Sequence, residues 1–323
     1  MRSWPAPVPG DGCAITGRSV TNEAKHLLQP NLTMAAFHGT QKPELLRRLL
    51  RDVQSVLRSQ LPSGWSCSFE SYTMSQIHAT LIGMEADLID GRPYGHWLRK
   101  NRQLSREISV DHLHTVIAEV VDAGKPLFTI RFGGFNACYC TCRTEHPDAC
   151  GHWPCASAPQ GYGVFHSCDR TPYEGSFYAH APGPIMITGW PVARSAEPNS
   201  FTHGLYEFRQ SLEQAGFADK YHHDTRHENA HWKNDDCFMR IGTFREPMPF
   251  EKLHDVHQAM RMFLSNMKPV VVEIAPADVS IVWYANPSLE ERHVIARIPL
   301  PTFVNDPSCV KRLYGAVLDQ VRR

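Results

Sequence analysis

Two kinds of apolar pattern take turns along this chain, and that alternation limits its fold more than any other feature. Pro43 stands at a first helical position, followed by Leu45, Leu46, Leu49, Leu50, Val53, Val56 and Leu57. Spacings of three and four put these residues on one stripe and predict an amphipathic helix to Gln60, ended by Pro62-Ser63-Gly64. Similar stripes predict helices over 110–121 and 201–215, one opened by Pro249 and Phe250 and reaching Leu264, and a short closing one over 313–321. Between them lie strand-like runs at 32–38, 76–84, 127–132, 184–190, 237–244, 270–274, 279–283 and 294–298. The order strand, helix, strand, helix, strand occurs twice, and such an order packs helices against a sheet. Gly91 and Pro93 are read as breaking the pattern after Asp90.

A chain of 323 residues can build one large core or two modest lobes. No strong linker divides it, so we expect a single bilobal domain over 32–323 behind a Pro- and Gly-rich arm at 1–31. Lys+Arg and Asp+Glu both number 33, giving a formal net charge of +0. Global charge therefore offers no argument for a DNA-binding surface, although a local basic groove stays open. No apolar run reaches the roughly 18 residues of a membrane span. The opening MRSWPAPVPG has no apolar core before its prolines and does not read as a signal peptide, so the expected compartment is the cytoplasm.

The run Gln76 to Met84 carries the first chemical signal. As a strand it puts His78, Thr80 and Ile82 on one side and Ile77, Ala79 and Leu81 on the other. An imidazole and a hydroxyl pointing the same way can address one oxygen-rich centre. The alternative is an imidazole hydrogen-bonded inside a sheet with no chemical role.

A strand over Met34 to Phe37, the helix after Pro43, Trp65, and His78-Ala79-Thr80-Leu81 followed by Gly83 together resemble one lobe of the two-histidine phosphoesterase superfamily. That superfamily includes the bacterial RNA ligase/cyclic phosphodiesterase proteins. The resemblance extends over residues 32–300, apart from a Cys-rich segment. It implies an α+β fold of two pseudo-symmetric lobes, with antiparallel sheets around a central cleft and helices outside. It also implies His78 and Thr80 as catalytic residues acting on a cyclic phosphate or a 2′,5′-linked nucleotide or RNA. In the family a second His-x-Thr lies on a strand before the last helix. Here that stretch reads Asn234-Asp235-Asp236-Cys237-Phe238-Met239-Arg240-Ile241. Asp236 or Asp235 then stands where the second His belongs, Phe238 where the hydroxyl belongs, and His231 is several residues out of register. An ionised carboxylate facing a phosphate is repulsive unless a cation intervenes, and Arg240 can supply one from the same strand face.

Residues 136–175 form an insertion rich in Cys and His: Cys138, Cys140, Cys142, His146, Cys150, His152, Cys155, His166 and Cys168. With no export signal they are read as thiols or metal ligands before disulfides. Cys138, Cys140, Cys142, Cys150, His152 and Cys155 are the candidate zinc ligands, with Gly151 and Pro154 allowing the chain to turn. A structural zinc would supply folding free energy to a loop with no apolar stripe; free thiols or one disulfide are the alternatives. Arg131 can reach a phosphate from its strand, or be an edge ion-pair residue. Trp190 can stack on a base, or pack in the core. His223, His227 and His231 would stack on a helix, although exposed loop histidines explain the run equally well.

The expectation is thus a phosphodiester hydrolase using His78 and Thr80 with Asp236 or His231, and with Arg131, Arg240 and Trp190 on the substrate. The chemistry needs no cofactor. RNA or a nucleotide is the expected partner and no membrane is involved. The rival readings are a non-catalytic nucleotide- or RNA-binding protein and an interaction protein using the Cys-rich insertion.

Overall fold

The computed structural model describes residues 31–38, 42–121, 125–135, 172–194, 201–220 and 234–321. The chain opens with β1 (Asn31–Ala36) and α1 (Glu44–Gln60), then β2 (Phe69–Ser71), β3 (His78–Gly83), β4 (Ala86–Ile89) and β5 (Arg92–Gly95). Next come α2 (His96–Arg102), α3 (Val110–Val120), β6 (Phe128–Phe132), α4 (Pro172–Gly175), β7 (Phe177–Ala179) and β8 (Gly183–Pro191). The remainder is α5 (Gly204–Glu213), β9 (Cys237–Phe244), α6 (Phe250–Asn266), β10 (Val270–Ile274), β11 (Val279–Tyr284), β12 (Val294–Pro299), α7 (Leu300–Asn305) and α8 (Ser308–Val321).

Ten strands make one sheet in the order β10-β6-β8-β9-β3-β1-β11-β12, with β2 added to β9 and β7 to β8. Its pairings are antiparallel, so the fold is a mixed α+β architecture with helices at the periphery. One face of the sheet carries the main core. Leu32, Met34 and Ala36 of β1, Ala79 and Leu81 of β3, and Met239 and Ile241 of β9 pack there with Leu46, Leu50 and Val53 of α1 and Met260 of α6. The period of two in each strand sends the intervening side chains to the other face. There Ala35, Phe37, Val282, Tyr284 and Leu289 make a second, smaller cluster.

A strand, a proline and a 17-residue helix occur in that order twice: β1, Pro43, α1, and β9, Pro249, α6. Both prolines sit at the N-cap with nearly the same backbone angles, φ −54 and ψ 142 or 141. Neither cap is made by a side chain, so the fixed proline φ and the apolar stripe set where each helix begins. Ser109, by contrast, caps α3 by accepting from the His112 backbone N–H.

The elements expected from periodicity are present, most within a few residues of their expected limits. The stretch read as a break is instead the β4–β5 hairpin, with Asp90 and Gly91 as its two-residue turn. Both have positive φ, 49 and 78, which is the turn geometry that matches strand twist. Trp65 to Tyr72, without a clear period, holds a 3₁₀ turn and β2. The closing helix begins at Ser308, earlier than its apolar residues indicate.

Gly95 packs directly against the Gly216 carbonyl oxygen, so a methyl group there would collide with backbone, whereas one at Gly315 in α8 meets nothing within 4 Å. Gly95→Ala is expected to lose more than about 2 kcal/mol, in line with overpacking penalties. Gly315→Ala, at an exposed position in α8, should gain roughly 0.5–1 kcal/mol from helix propensity. Urea denaturation of the two variants side by side checks the pair.

Candidate functional site

β3 lies between β9 and β1, and all six of its residues are buried. His78 and Thr80 project from it to the face away from the helical core, whereas Ala79 and Leu81 join that core; Ile82, expected beside Thr80, joins the core too, because the β1–β3 register shifts between Met34 and Ala35. Across to β9, His78 is registered with Arg240; across to β1, Thr80 is registered with Ala35. β3 and β9 pair only at His78–Arg240 and Ala79–Met239. Beyond those pairs Arg209 of α5 fills the widening gap, donating from Nε to the Leu81 carbonyl (2.8 Å) and from Nη2 to the Asp236 carbonyl (3.0 Å). A buried guanidinium thus completes the backbone hydrogen bonding that the strands abandon.

The hydrogen bond of His78 fixes its tautomer. Nδ1 lies 2.7 Å from the Gln76 carbonyl oxygen, which can only accept, so Nδ1 carries the proton and Nε2 keeps its lone pair. Neither Nε2 nor Thr80 Oγ1 makes a hydrogen bond among the described residues. Burial pushes the imidazole down to about 3; the Gln76 bond opposes this, and the charges of Arg240, Lys42 and Lys220 reinforce it. At neutral pH, His78 is therefore an uncharged acceptor.

The cations around it have few counterions. Lys42 is buried and donates to the Phe37 and Ile77 carbonyls, both at 2.7 Å. Its ammonium is pushed down to about 8, by burial first and Arg297 second, with Asp278 opposing. Arg240 donates from Nη1 to the Pro287 carbonyl (2.9 Å), whereas its Nε is buried with no partner. Arg297 lies over the Phe37 ring at 3.7 Å, and the same ring is 5.8 Å from His78. Among the described residues, Lys220 is the one of these four cations held in an ion pair, at 2.8 Å from Glu85, and it also donates to Tyr284 Oη. Four cations, three of them without an ion pair among the described residues, beside a neutral imidazole favour an anion.

His38 next to Phe37 adds an unmet demand. Both of its ring nitrogens are buried without a partner, and its own burial pushes the imidazole down to about 3, with Lys42 adding to the effect. Its backbone, like that of Lys42, is left-handed, with φ of 54 and 45. Strained backbone of this kind gathers at sites where geometry matters more than stability.

The other residues singled out from sequence lie elsewhere. Asp236 accepts from Trp190 Nε1 at 2.7 Å, and both are buried, so each occupies the other. Asp235 accepts from His203 Nδ1 and from the Tyr206 N–H. Arg131 donates to the Gly134 carbonyl (2.7 Å) and covers the Phe135 ring at 4.7 Å. The structure therefore gathers His78, Thr80 and Arg240 and sets Arg131 and the Trp190–Asp236 pair apart from them. His231 and the six proposed zinc ligands Cys138, Cys140, Cys142, Cys150, His152 and Cys155 lie outside the described residues. Among the described residues, no three His, Cys, Asp or Glu side chains are grouped to hold a metal. Lys42, His38, Ser280 and Arg297 had no motif to announce them; strand periodicity alone puts Ser280 on this face.

Two open surface cavities of about 240 Å³ each adjoin β6 and α5, and neither is lined by His78. The candidate site is a charged sheet face rather than an apolar pocket. No family model, no curated protein and no solved structure matches this chain.

The buried histidines set an acid limit on stability. Unfolded, His38 and His78 titrate near 6.5, and folded they resist protonation down to about 3. Between those values the unfolded chain binds more protons, so stability falls as pH falls, by about 3 kcal/mol per histidine at pH 4. Asp235, pushed up to about 6 by burial against its His203 bond, has the opposite sign from pH 6 to 3.8. It returns roughly 2 kcal/mol. The urea midpoint should therefore drop from pH 7 to pH 4, and His78→Gln should flatten that drop.

Proposed function

We propose that this protein binds a phosphoester at the face formed by His78, Thr80 and Arg240 and hydrolyses a phosphodiester or cyclic phosphate of a nucleotide or RNA. The observation that carries the reading is the register of His78 with Arg240 across β3 and β9, with Lys42 nearby and neither cation ion-paired among the described residues. Arg240 meets a phosphoryl oxygen, Thr80 Oγ1 donates to a second, and His78 Nε2 takes the proton of an attacking water. The water oxygen bonds to phosphorus as the ester P–O bond breaks, and the departing oxygen takes its proton from solvent. A free imidazole held near 3 is a weak base. Bound phosphate offsets the cations that depress it and raises its proton affinity toward the working range.

The same reading takes the repeated strand–proline–helix unit as the trace of two pseudo-symmetric lobes within the two-histidine phosphoesterase pattern. In that pattern Asp236 or Asp235 stands where the second imidazole is expected, and the second lobe contributes Arg240 to the face instead. A rival reading, a nucleotide- or RNA-binding protein without turnover, draws support from Asp236, whose carboxylate is already engaged by Trp190.

Steady-state assays with 2′,3′-cyclic nucleotides and 2′,5′-linked oligonucleotides separate the two. We expect His78→Ala to lower kcat at least about 100-fold, the usual contribution of a general base. Arg240→Ala should raise KM with a smaller effect on kcat. Saturable binding that survives His78→Ala, with no turnover by the wild type, would establish the non-catalytic alternative.

The Cys- and His-rich segment is proposed to hold a structural zinc. Metal analysis of the purified chain is expected to find about one zinc per molecule, the content of a single tetrahedral site. Cys150→Ser should lose it while the catalytic-face assays stay unchanged.

A further inference from the structure

Two consecutive carbonyls at the start of β3 hold two different nitrogens. The Gln76 carbonyl accepts from Nδ1 of His78 at 2.7 Å, and the Ile77 carbonyl accepts from the Lys42 ammonium at 2.7 Å. The imidazole and the ammonium are therefore placed by adjacent peptide units of one short segment. Lys42 has a second anchor, the Phe37 carbonyl just after β1, also at 2.7 Å. The Phe37 ring lies 5.8 Å from the imidazole, and the Lys42 charge reaches His78.

An ammonium has three protons to donate. The two carbonyls take two of them, and among the described residues Lys42 has neither a third hydrogen-bond partner nor an ion pair. Its side chain is buried and its backbone is left-handed at φ 45, so the fold fixes where its nitrogen stands. Beside it, both ring nitrogens of buried His38 also lack a partner. Unmet polar groups of this kind point to an oxygen-rich ligand rather than to a sealed core.

The reaction proposed above leaves one proton to solvent, the one that the departing oxygen requires. Of the cations near His78, only an ammonium can supply it, because a guanidinium does not deprotonate in a protein. That sets aside Arg240 and Arg297. Lys220 is held by Glu85 and donates to Tyr284 Oη. His38 is kept uncharged by its burial. Lys42 remains, and burial and Arg297 push its ammonium down to about 8, with Asp278 opposing. An acid in that range is charged at neutral pH and still gives up its proton readily.

We propose that Lys42 is the general acid of the His78 site and protonates the oxygen that leaves phosphorus. The inference rests on the phosphoester reading of that face and puts a named residue in place of solvent in its last step. His78 Nε2 takes the proton of the attacking water as the water oxygen bonds to phosphorus. The ester P–O bond breaks with its electron pair on the departing oxygen, which takes a proton from Lys42 Nζ. The imidazolium then releases a proton to solvent and the neutral amine takes one up, which restores both groups.

The test uses the full chain and two substrates that differ in the leaving oxygen. A 2′,3′-cyclic nucleotide releases a ribose oxygen that must be protonated, whereas a p-nitrophenyl ester of a nucleoside monophosphate releases a phenolate that is stable without a proton. Lys42→Met should lower kcat for the cyclic nucleotide at least about 100-fold and for the p-nitrophenyl ester only about threefold. Lys42→Arg, which keeps the charge but cannot give up a proton, should leave kcat for the cyclic nucleotide near that of Lys42→Met. Equal losses on both substrates, or full activity in Lys42→Arg, would overturn the assignment. The wild type supplies a measurement that no variant's folding can obscure. Its kcat/KM for the cyclic nucleotide should fall as pH rises through about 8, with no such fall for the p-nitrophenyl ester. The titratable and charged groups around Lys42 are His38 and His78, both down at about 3, with Asp278 beside β11 and Arg297 on β12. A basic limb shared by both substrates would overturn the acid role. Absence of His78-dependent turnover on either substrate would instead overturn the hydrolase reading, and the acid role with it.

Discussion

The pairing of β3 with β1 and β9 is the constraint on which the rest depends. A strand buried on both faces must satisfy every backbone group through its neighbours, because water cannot reach them. Thr33 meets the Ile82 carbonyl and Arg209 the Leu81 carbonyl where strand partners do not suffice. With β3 locked in this way, the alternation from His78 to Leu81 has no freedom left, and it breaks at the β1 register shift, where Ile82 joins Leu81 in the core. Ala79 and Leu81 enter the helical core, and His78 and Thr80 go to the opposite face. A slip of one residue would bury an imidazole among leucines.

Burial then sets the chemistry of that imidazole. Desolvation outweighs the Gln76 hydrogen bond, so the ring stays neutral with its lone pair on Nε2. The cations gathered nearby act in the same direction, since each disfavours a further positive charge. Their mutual repulsion is a standing cost that an anionic ligand relieves. Charge and burial are thus coupled: a solvated version of the same residues would be screened and would have little preference for a phosphate.

Local pattern made much of the framework legible. The leucine spacing after Pro43 and the stripe after Pro249 specify two helices, because a 3.6-residue period with a proline start has few other solutions. The β4–β5 hairpin escaped because Asp90-Gly91 is a turn signal of only two residues, and Gly91 and Pro93 read as breakers. Arg209 gave no signal, since its value lies in bridging Leu81 to Asp236 across more than a hundred residues of sequence. Trp190 looked available for stacking on a base, yet its indole nitrogen is occupied by Asp236, a contact that no local pattern encodes.

From its sequence alone the chain determined most of the long strands and helices and that His78 and Thr80 share one side of a strand. Both follow from short-range geometry, where side-chain direction repeats every two or 3.6 residues. Only the tertiary structure decided that Arg240 stands opposite His78, that Ala35 lies between Thr80 and Ser280, and that Lys42 and Arg297 come close enough for their charges to interact. Those neighbours come from strand order, which is set by how distant surfaces bury one another and not by residues adjacent in the chain.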